Sequence, residues 1–279
     1  MIIDAEVHII PPEISNMKKS AFVREKAFKQ AIYEHPEGEM ALKLSTIEEL
    51  LKSMELCKID KCLLMGLPWR DHHLTLMNNS YVKNVIDANK GKFYGLGLVT
   101  FSKKLDIKSQ LKELKEIYGF LGVKVIPSWQ RFKLDGDEFA PVVEELIKQK
   151  MILFPHIDYV TASSSEQGPH NLFNLIKKYP ELKILAPHLG GLLCLHFEFG
   201  PIKKYFSNTR FVTSVGETMQ MVENASKVLD ENMLIFGTDY PFQPNHDQKT
   251  ILERFEKLNI DPKLKEKILS NNFREFINV

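Results

Sequence analysis

The sequence predicts an α/β fold, a single (β/α)8 barrel, on three observations. Eight short apolar, β-branched runs recur along the 279 residues, and an amphipathic stretch follows each of them. The runs are nearly continuous in hydrophobicity, as strands covered on both faces should be. Barrels of this kind reach ~250 residues as one unit, so residues 1–279 are read as one domain.

In chain order the first strand is expected at Ile2–Ile9. A polar, lysine- and glutamate-rich segment, residues 11–44, then interrupts the alternation. It is an insertion after strand one, either a lid over the barrel mouth or a plain surface excursion. A helix follows at Thr46–Cys57, with Ser45 as N-cap and Glu48 completing a capping box. Strands at Lys61–Gly66 and Phe93–Val99 bracket a helix at Asn78–Asn89 that stops before Gly91. The helix Ile107–Tyr118 stops before Gly119 in the same way. Strands at Leu121–Ile126, Met151–His156, Leu182–Ala186, Phe211–Ser214 and Met233–Gly237 complete the set. Their helices are expected at Glu138–Lys148, Pro169–Lys178, Gly191–Phe206, Glu217–Leu229 and His246–Leu258. An extra C-terminal helix, Pro262–Ile277, closes the chain. The Gly95-Leu-Gly97 pair lies inside a strand and lacks the rest of a dinucleotide-binding fingerprint.

Composition narrows the function. Thirty-seven basic and 36 acidic residues leave a net charge of +1, which supplies no general pull towards nucleic acid or an acidic membrane. No apolar run approaches the ~20 residues of a membrane span. Met1-Ile-Ile-Asp4 places an acid where a signal peptide needs positive charge, so a cytoplasmic protein is expected. Cys57, Cys62 and Cys194 are too few and too ill-spaced for a disulfide framework or a thiolate zinc site. The expected partners are a small-molecule substrate and, at most, a second copy in a homodimer.

Polar side chains at the carboxyl ends of barrel strands converge on one opening. Here those residues are Glu6 and His8 on strand one, Lys124 on strand four and His156 on strand five. His188 follows strand six, Ser214 ends strand seven, and Gly237-Thr238-Asp239 ends strand eight. Glu6 and His8 stand two apart and share a strand face. Two imidazoles and two carboxylates (Glu6, His8, His156, Asp239) suit one divalent ion, with zinc first and manganese or iron as alternatives. Each residue also has a plainer role. Glu6 could be a buried carboxylate paired with Lys124, Asp239 could make an Asx-turn, and a single histidine could be a rim residue.

Three motifs carry a resemblance: Gly122-Val-Lys-Val-Ile-Pro127, Pro187-His-Leu-Gly-Gly191 and Gly237-Thr-Asp-Tyr-Pro241. With the tail Lys267-Ile-Leu-Ser-Asn-Asn-Phe273, the chain resembles the amidohydrolase-related family over its full length. The branch is that of amino-carboxymuconate-semialdehyde decarboxylase and γ-resorcylate decarboxylase. The resemblance implies Glu6, His8, His156 and Asp239 as metal ligands and His188 as the adjacent catalytic histidine. That family usually has His-x-His on strand one; Glu6-x-His8 matches the γ-resorcylate branch. The same branch carries a glutamate three residues after the strand-six histidine, where this chain has Gly191. Lys124 would be a cationic partner or, as in other amidohydrolase branches, a carbamylated bridge between two metals.

These residues support a metal-dependent hydrolase first. A metal-bound water of lowered pKa would be the nucleophile, Asp239 would take its proton and His188 would polarise the substrate carbonyl. A metal-dependent decarboxylase or hydratase is the alternative, with His188 handling the proton; a binding protein without turnover ranks last. The substrate is expected to be small, anionic and cyclic or aromatic. Arg70 beside Trp69 and Arg131 beside Trp129 would supply carboxylate forks and flat apolar walls. The arginines could instead pair with Asp71 and Asp135. His72 and His73 are read as loop residues facing the opening, and His35, His170, His196 and His246 as solvated or capping residues.

Overall fold

The computed structural model describes residues 1–102, 104–159, 165–197, 200–242 and 247–278. Eight strands pair in sequence order, and every pairing is parallel. They are β1 (Ile3–His8), β2 (Lys61–Met65), β3 (Phe93–Leu98), β4 (Gly122–Val125), β5 (Ile152–Pro155), β6 (Lys183–Ala186), β7 (Thr209–Val212) and β8 (Leu234–Ile235). The Ala5 N–H donates to Phe236 O, and Val7 bridges Tyr240 in parallel, so β1 and β8 close the barrel. All eight predicted strands form, and the expected TIM barrel is the observed fold.

Two apolar clusters follow from the strand alternation. Ile3, Ala5, Leu63, Leu96, Phe154, Leu185, Val212 and Ile235 fill the interior, with Phe273 and Phe276 of the last helix packed against them. Val7, Cys62, Leu64, Val123 and Leu153 face the surrounding helices. Ile3 and Ala5 thus point inward while Val7 points outward. The register between β1 and β2 is interrupted between Asp4 and Val7, with Ala5 and Glu6 opposite Leu63 alone. This is a β-bulge, which reverses the inward–outward parity of the strand. After it, Glu6 and His8 face the barrel, whereas Asp4, before it, faces the helix layer.

Several helix boundaries differ from expectation. Thr46, not Ser45, caps the helix Ile47–Cys57, accepting from the Glu49 N–H. The helix expected at Asn78 begins at His72, because Asp71 caps it by accepting from His73 and Leu74 N–H. His72 and His73 are therefore first-turn residues rather than loop residues. The helix expected at Gly191–Phe206 is broken into short turns. His188, Leu189, Gly190, Gly191 and Leu192 all have positive φ, which no α-helix tolerates. Pro169–Lys178 forms as expected, and the start of the helix expected at His246 lies outside the described residues.

The insertion folds into helices Pro12–Ser15, Lys26–Tyr33 and Gly38–Leu44. Phe22 and Phe28 pack on Trp69 at centroid distances of 6.2 and 4.7 Å. The Glu25 carboxylate accepts from Arg70 N–H at 3.0 Å and Asp71 N–H at 2.8 Å. These contacts fasten the insertion to the loop after β2.

Candidate metal centre

At the carboxyl end of β1 the bulge directs Glu6 and His8 inward, and both are buried. The turn after β8 brings Asp239 to them, with φ at 61°. His8 Nε2 stands 3.2 Å from Asp239 Oδ1 and 3.9 Å from Glu6 Oε1. The three side chains offer ligand atoms that all lie within 4.8 Å of one another. His8 Nδ1 lies 3.3 Å from the Gly66 carbonyl oxygen. A carbonyl can only accept, so Nδ1 carries a proton, while Nε2 faces the Asp239 and Glu6 carboxylates. That is how metal-binding histidines are oriented. Burial opposes charge on His8, but these two acids raise its pKa, and a bound cation would take the place of the Nε2 proton.

Glu6 Oε1 accepts from Lys124 Nζ at 3.2 Å, as the plainer sequence reading anticipated. Burial opposes charge on Glu6, but Lys124, His8 and His188 outweigh it and hold the carboxyl well below the usual range. Its other oxygen, Oε2, is buried with no hydrogen-bond partner among the described residues. A buried carboxylate oxygen left unpaired costs ~1–3 kcal/mol or more, and a cation would remove that cost. The donor set therefore fits one divalent ion. Lys124 Nζ also sits 4.5 Å from the Phe154 ring centroid, the placement of an ammonium. These contacts are those of the cationic partner of Glu6.

The opposite side of the mouth is arranged differently. His156 lies outside the three-residue cluster, and its Nε2 pairs with Asp158 Oδ1 at 3.2 Å. Burial, then the positive groups His188 and Lys124, lower the His156 pKa against the pull of Asp158, which favours the neutral ring. His188 stacks edge-on to His156 at 5.1 Å, and Tyr159 lies 6.0 Å from His188. His188 Nδ1 donates to the Ser214 carbonyl at 2.6 Å. A Cβ on Gly191 (φ +64°) would lie 2.4 Å from the Asp158 carbonyl oxygen. The glutamate carried by the decarboxylase branch thus has no room at this backbone.

A cavity of about 840 Å³ opens above these residues, with His8, Lys124, His156 and Asp239 in its lining. Leu67, Ile126, Trp129 and Phe242 form apolar walls, and the insertion adds Ile32, His35, Met40 and Leu44. Trp129 stands where the sequence placed it. Trp69, Arg70 and Arg131 do not line the cavity. Trp69 is fully buried, its indole N–H donating to Asn78 Oδ1, because it anchors the insertion. Arg70 Nη1 reaches the Arg24 carbonyl, and Arg131, in the left-handed region, is exposed. Neither predicted acid takes them: Asp71 caps a helix and Asp135 accepts from Asn171 and Asn174. His188 does not line the cavity either, standing behind His156.

Sequence reasoning missed Asp4, Asp158, Gln248 and the histidine on the insertion. Asp158 carried a signal in His156-x-Asp158, while His35 looked solvated and yet borders the cavity. His170 pairs with Asn174, and His246 lies outside the described residues.

No curated protein sequence matches the chain. Among solved structures it is similar to 5-carboxyvanillate decarboxylase from Sphingomonas paucimobilis, with a TM-score of 0.81 at 17% identity over 100% of this chain and 99% of that one. The same enzyme from Novosphingobium aromaticivorans, solved with manganese and 4-hydroxy-3-methoxy-5-nitrobenzoic acid, gives 0.80 at 16% over 100% and 96%. A dihydroxybenzoic acid decarboxylase from Polaromonas sp. JS666, with manganese and 2-nitroresorcinol, gives 0.76 at 16% over 99% and 96%. At such identities the likeness is one of fold. The family model described as Amidohydrolase matches residues 3–278, and the chain belongs to that family.

Proposed function

We propose that the protein is a metal-dependent carboxy-lyase acting on a small aromatic acid that bears a ring hydroxyl. One observation carries this reading: the Glu6–His8–Asp239 cluster meets an 840 Å³ cavity walled by Trp129, Phe242, Ile126 and Leu67. Such walls match a flat ring better than a peptide or sugar. Support comes from the three similar folds, all decarboxylases of substituted benzoates by title, two of them solved with manganese. Hydrolysis, the first expectation from sequence, gives way to the lyase alternative on that ground.

Glu6, His8 and Asp239 would hold the ion, with His156 joining once it leaves Asp158. Two carboxylates among the donors favour manganese as readily as zinc. When bound, the ion would supply positive charge that holds the substrate's oxygen atoms and stabilises negative charge on them. The remaining chemistry falls to the chain. Trp129 and Phe242 fix the ring, and the insertion excludes water from one side. Asp239, which reaches the cavity, delivers a proton to the ring carbon bearing the carboxylate. The bond to the carboxylate then breaks, its electron pair restores the aromatic ring, and carbon dioxide leaves. Solvent reprotonates Asp239. His188, behind His156, sets the field rather than touching the substrate.

The test incubates the protein, loaded with Mn²⁺ or with Zn²⁺, with ortho-hydroxybenzoates and with a panel of lactones and amides. Carbon dioxide release from the acids is expected, with a loss of ~10²–10⁴-fold in Asp239→Asn. Hydrolysis of a lactone or amide without any decarboxylation overturns the reading.

A further inference from the structure

Asp4 lies on the far side of the bulge from Glu6, buried in the layer between barrel and helices, and the chemistry above makes no use of it. Its carboxylate accepts four hydrogen bonds. Oδ1 takes the Glu6 N–H at 3.2 Å and the Thr238 N–H at 3.0 Å. Oδ2 takes the Thr238 hydroxyl at 2.6 Å and Gln248 Nε2 at 2.8 Å. The Thr238 hydroxyl in turn accepts from the Tyr240 N–H at 3.2 Å. Asp4 therefore grips the residues on both sides of Asp239, one directly and the other through the Thr238 hydroxyl.

This placement meets two local demands. The Glu6 N–H belongs to the bulge, where ladder pairing is disrupted and a substitute acceptor is needed. Asp239, at φ 61°, occupies a region that non-glycine residues enter only at a cost, and surroundings that over-determine it keep it there. One carboxylate answers both. It ties the bulge that aims Glu6 inward to the turn that presents Asp239.

We propose that Asp4 is a positioning residue that sets the Glu6–His8–Asp239 geometry, acting on Asp239 through the Thr238 hydroxyl. The inference rests on the metal-site reading but not on which reaction the site performs. Asp4 touches neither substrate nor ligand side chains; its effect is on where they stand.

The experiment measures Mn²⁺ binding to the metal-free protein by calorimetry, beside thermal unfolding, for Asp4→Asn, Thr238→Val and Thr238→Ser. Thr238→Val keeps the side-chain shape and removes the hydroxyl, so it is the variant expected to stay folded if Asp4→Asn does not. Its Mn²⁺ affinity should fall by ~10–100-fold, the range for groups that orient metal ligands. Thr238→Ser, which restores the hydroxyl, should return affinity close to wild type. A folded Thr238→Val protein that binds Mn²⁺ as tightly as wild type overturns the proposal. So does a fall that Thr238→Ser does not rescue, since lost packing would then explain it. Wild-type protein that binds no Mn²⁺ overturns the metal-site reading and this inference with it. Tight wild-type binding without decarboxylation removes only the lyase assignment.

Discussion

The two halves of the barrel mouth contrast. On the β1–β8 side, Glu6, His8 and Asp239 converge, each held from behind by a different partner: Lys124, the Gly66 carbonyl, and the turn bound by Asp4. On the β5–β6 side, His156 and His188 are spoken for by Asp158 and Ser214. The first half turns three potential ligand atoms toward a common point. The second presents rings to each other. Strand-end position alone therefore does not make a ligand; a supporting group must also turn the right atom inward.

The largest expected effect would break the first half. Glu6→Gln removes the anion facing buried Lys124, and such a buried charge left unpaired costs ~3–5 kcal/mol. Chemical denaturation should show that loss, and metal analysis should show little bound ion. Stability within 1 kcal/mol of wild type would mean that Lys124 finds another partner or loses its proton.

The next sharpens the contrast between histidines. His8→Ala should abolish metal uptake, since His8 completes the preformed cluster. His156→Ala should weaken it by a smaller factor, ~10–100-fold, as its nitrogen must first leave Asp158. Equal losses in the two variants would place His156 in the cluster on the same footing. His188→Ala should keep the metal and lower turnover by ~10²-fold through the lost field; loss of both together would make it a ligand.

A smaller effect is expected at the insertion. Glu25→Ala strips two backbone N–H groups, those of Arg70 and Asp71, of their acceptor, at ~1–3 kcal/mol. Limited proteolysis should cut residues 11–44 sooner in that variant while the barrel stays intact. Unchanged cleavage there would show that Phe22, Phe28 and Trp69 suffice to hold the segment. The smallest effect is at Arg131→Met, where an exposed cation outside the cavity should leave KM for carboxylate substrates unchanged. A selective rise in KM for acids would restore the arginine anchor that the sequence suggested.

Much of this was legible in the chain. Eight alternating runs dictated the barrel, because a run apolar on both faces can be buried only between a core and a ring of helices. Glu6-x-His8 announced a shared face, and Gly237-Thr-Asp-Tyr-Pro241 announced the turn that carries Asp239. Residue type and period sufficed there because both are local. The arginine anchors were not legible, because a loop position says nothing about which way a long side chain leaves the backbone. Arg70 and Trp69 were claimed by the insertion, whose packing partners lie more than 40 residues earlier in the chain. Gly191 was drawn as a helix start, yet five successive positive φ angles from His188 to Leu192 set the chain's path there. The role of Asp4 depends on a bulge that flips strand parity and on Thr238 and Gln248, which lie 234 and 244 residues away. The sequence by itself determined the eight strands and the acidic and histidine side chains that their carboxyl ends carry. Only the tertiary structure decided which atoms of those groups face one another, because hydrogen-bond partners distant in the chain settle each side chain's last rotation.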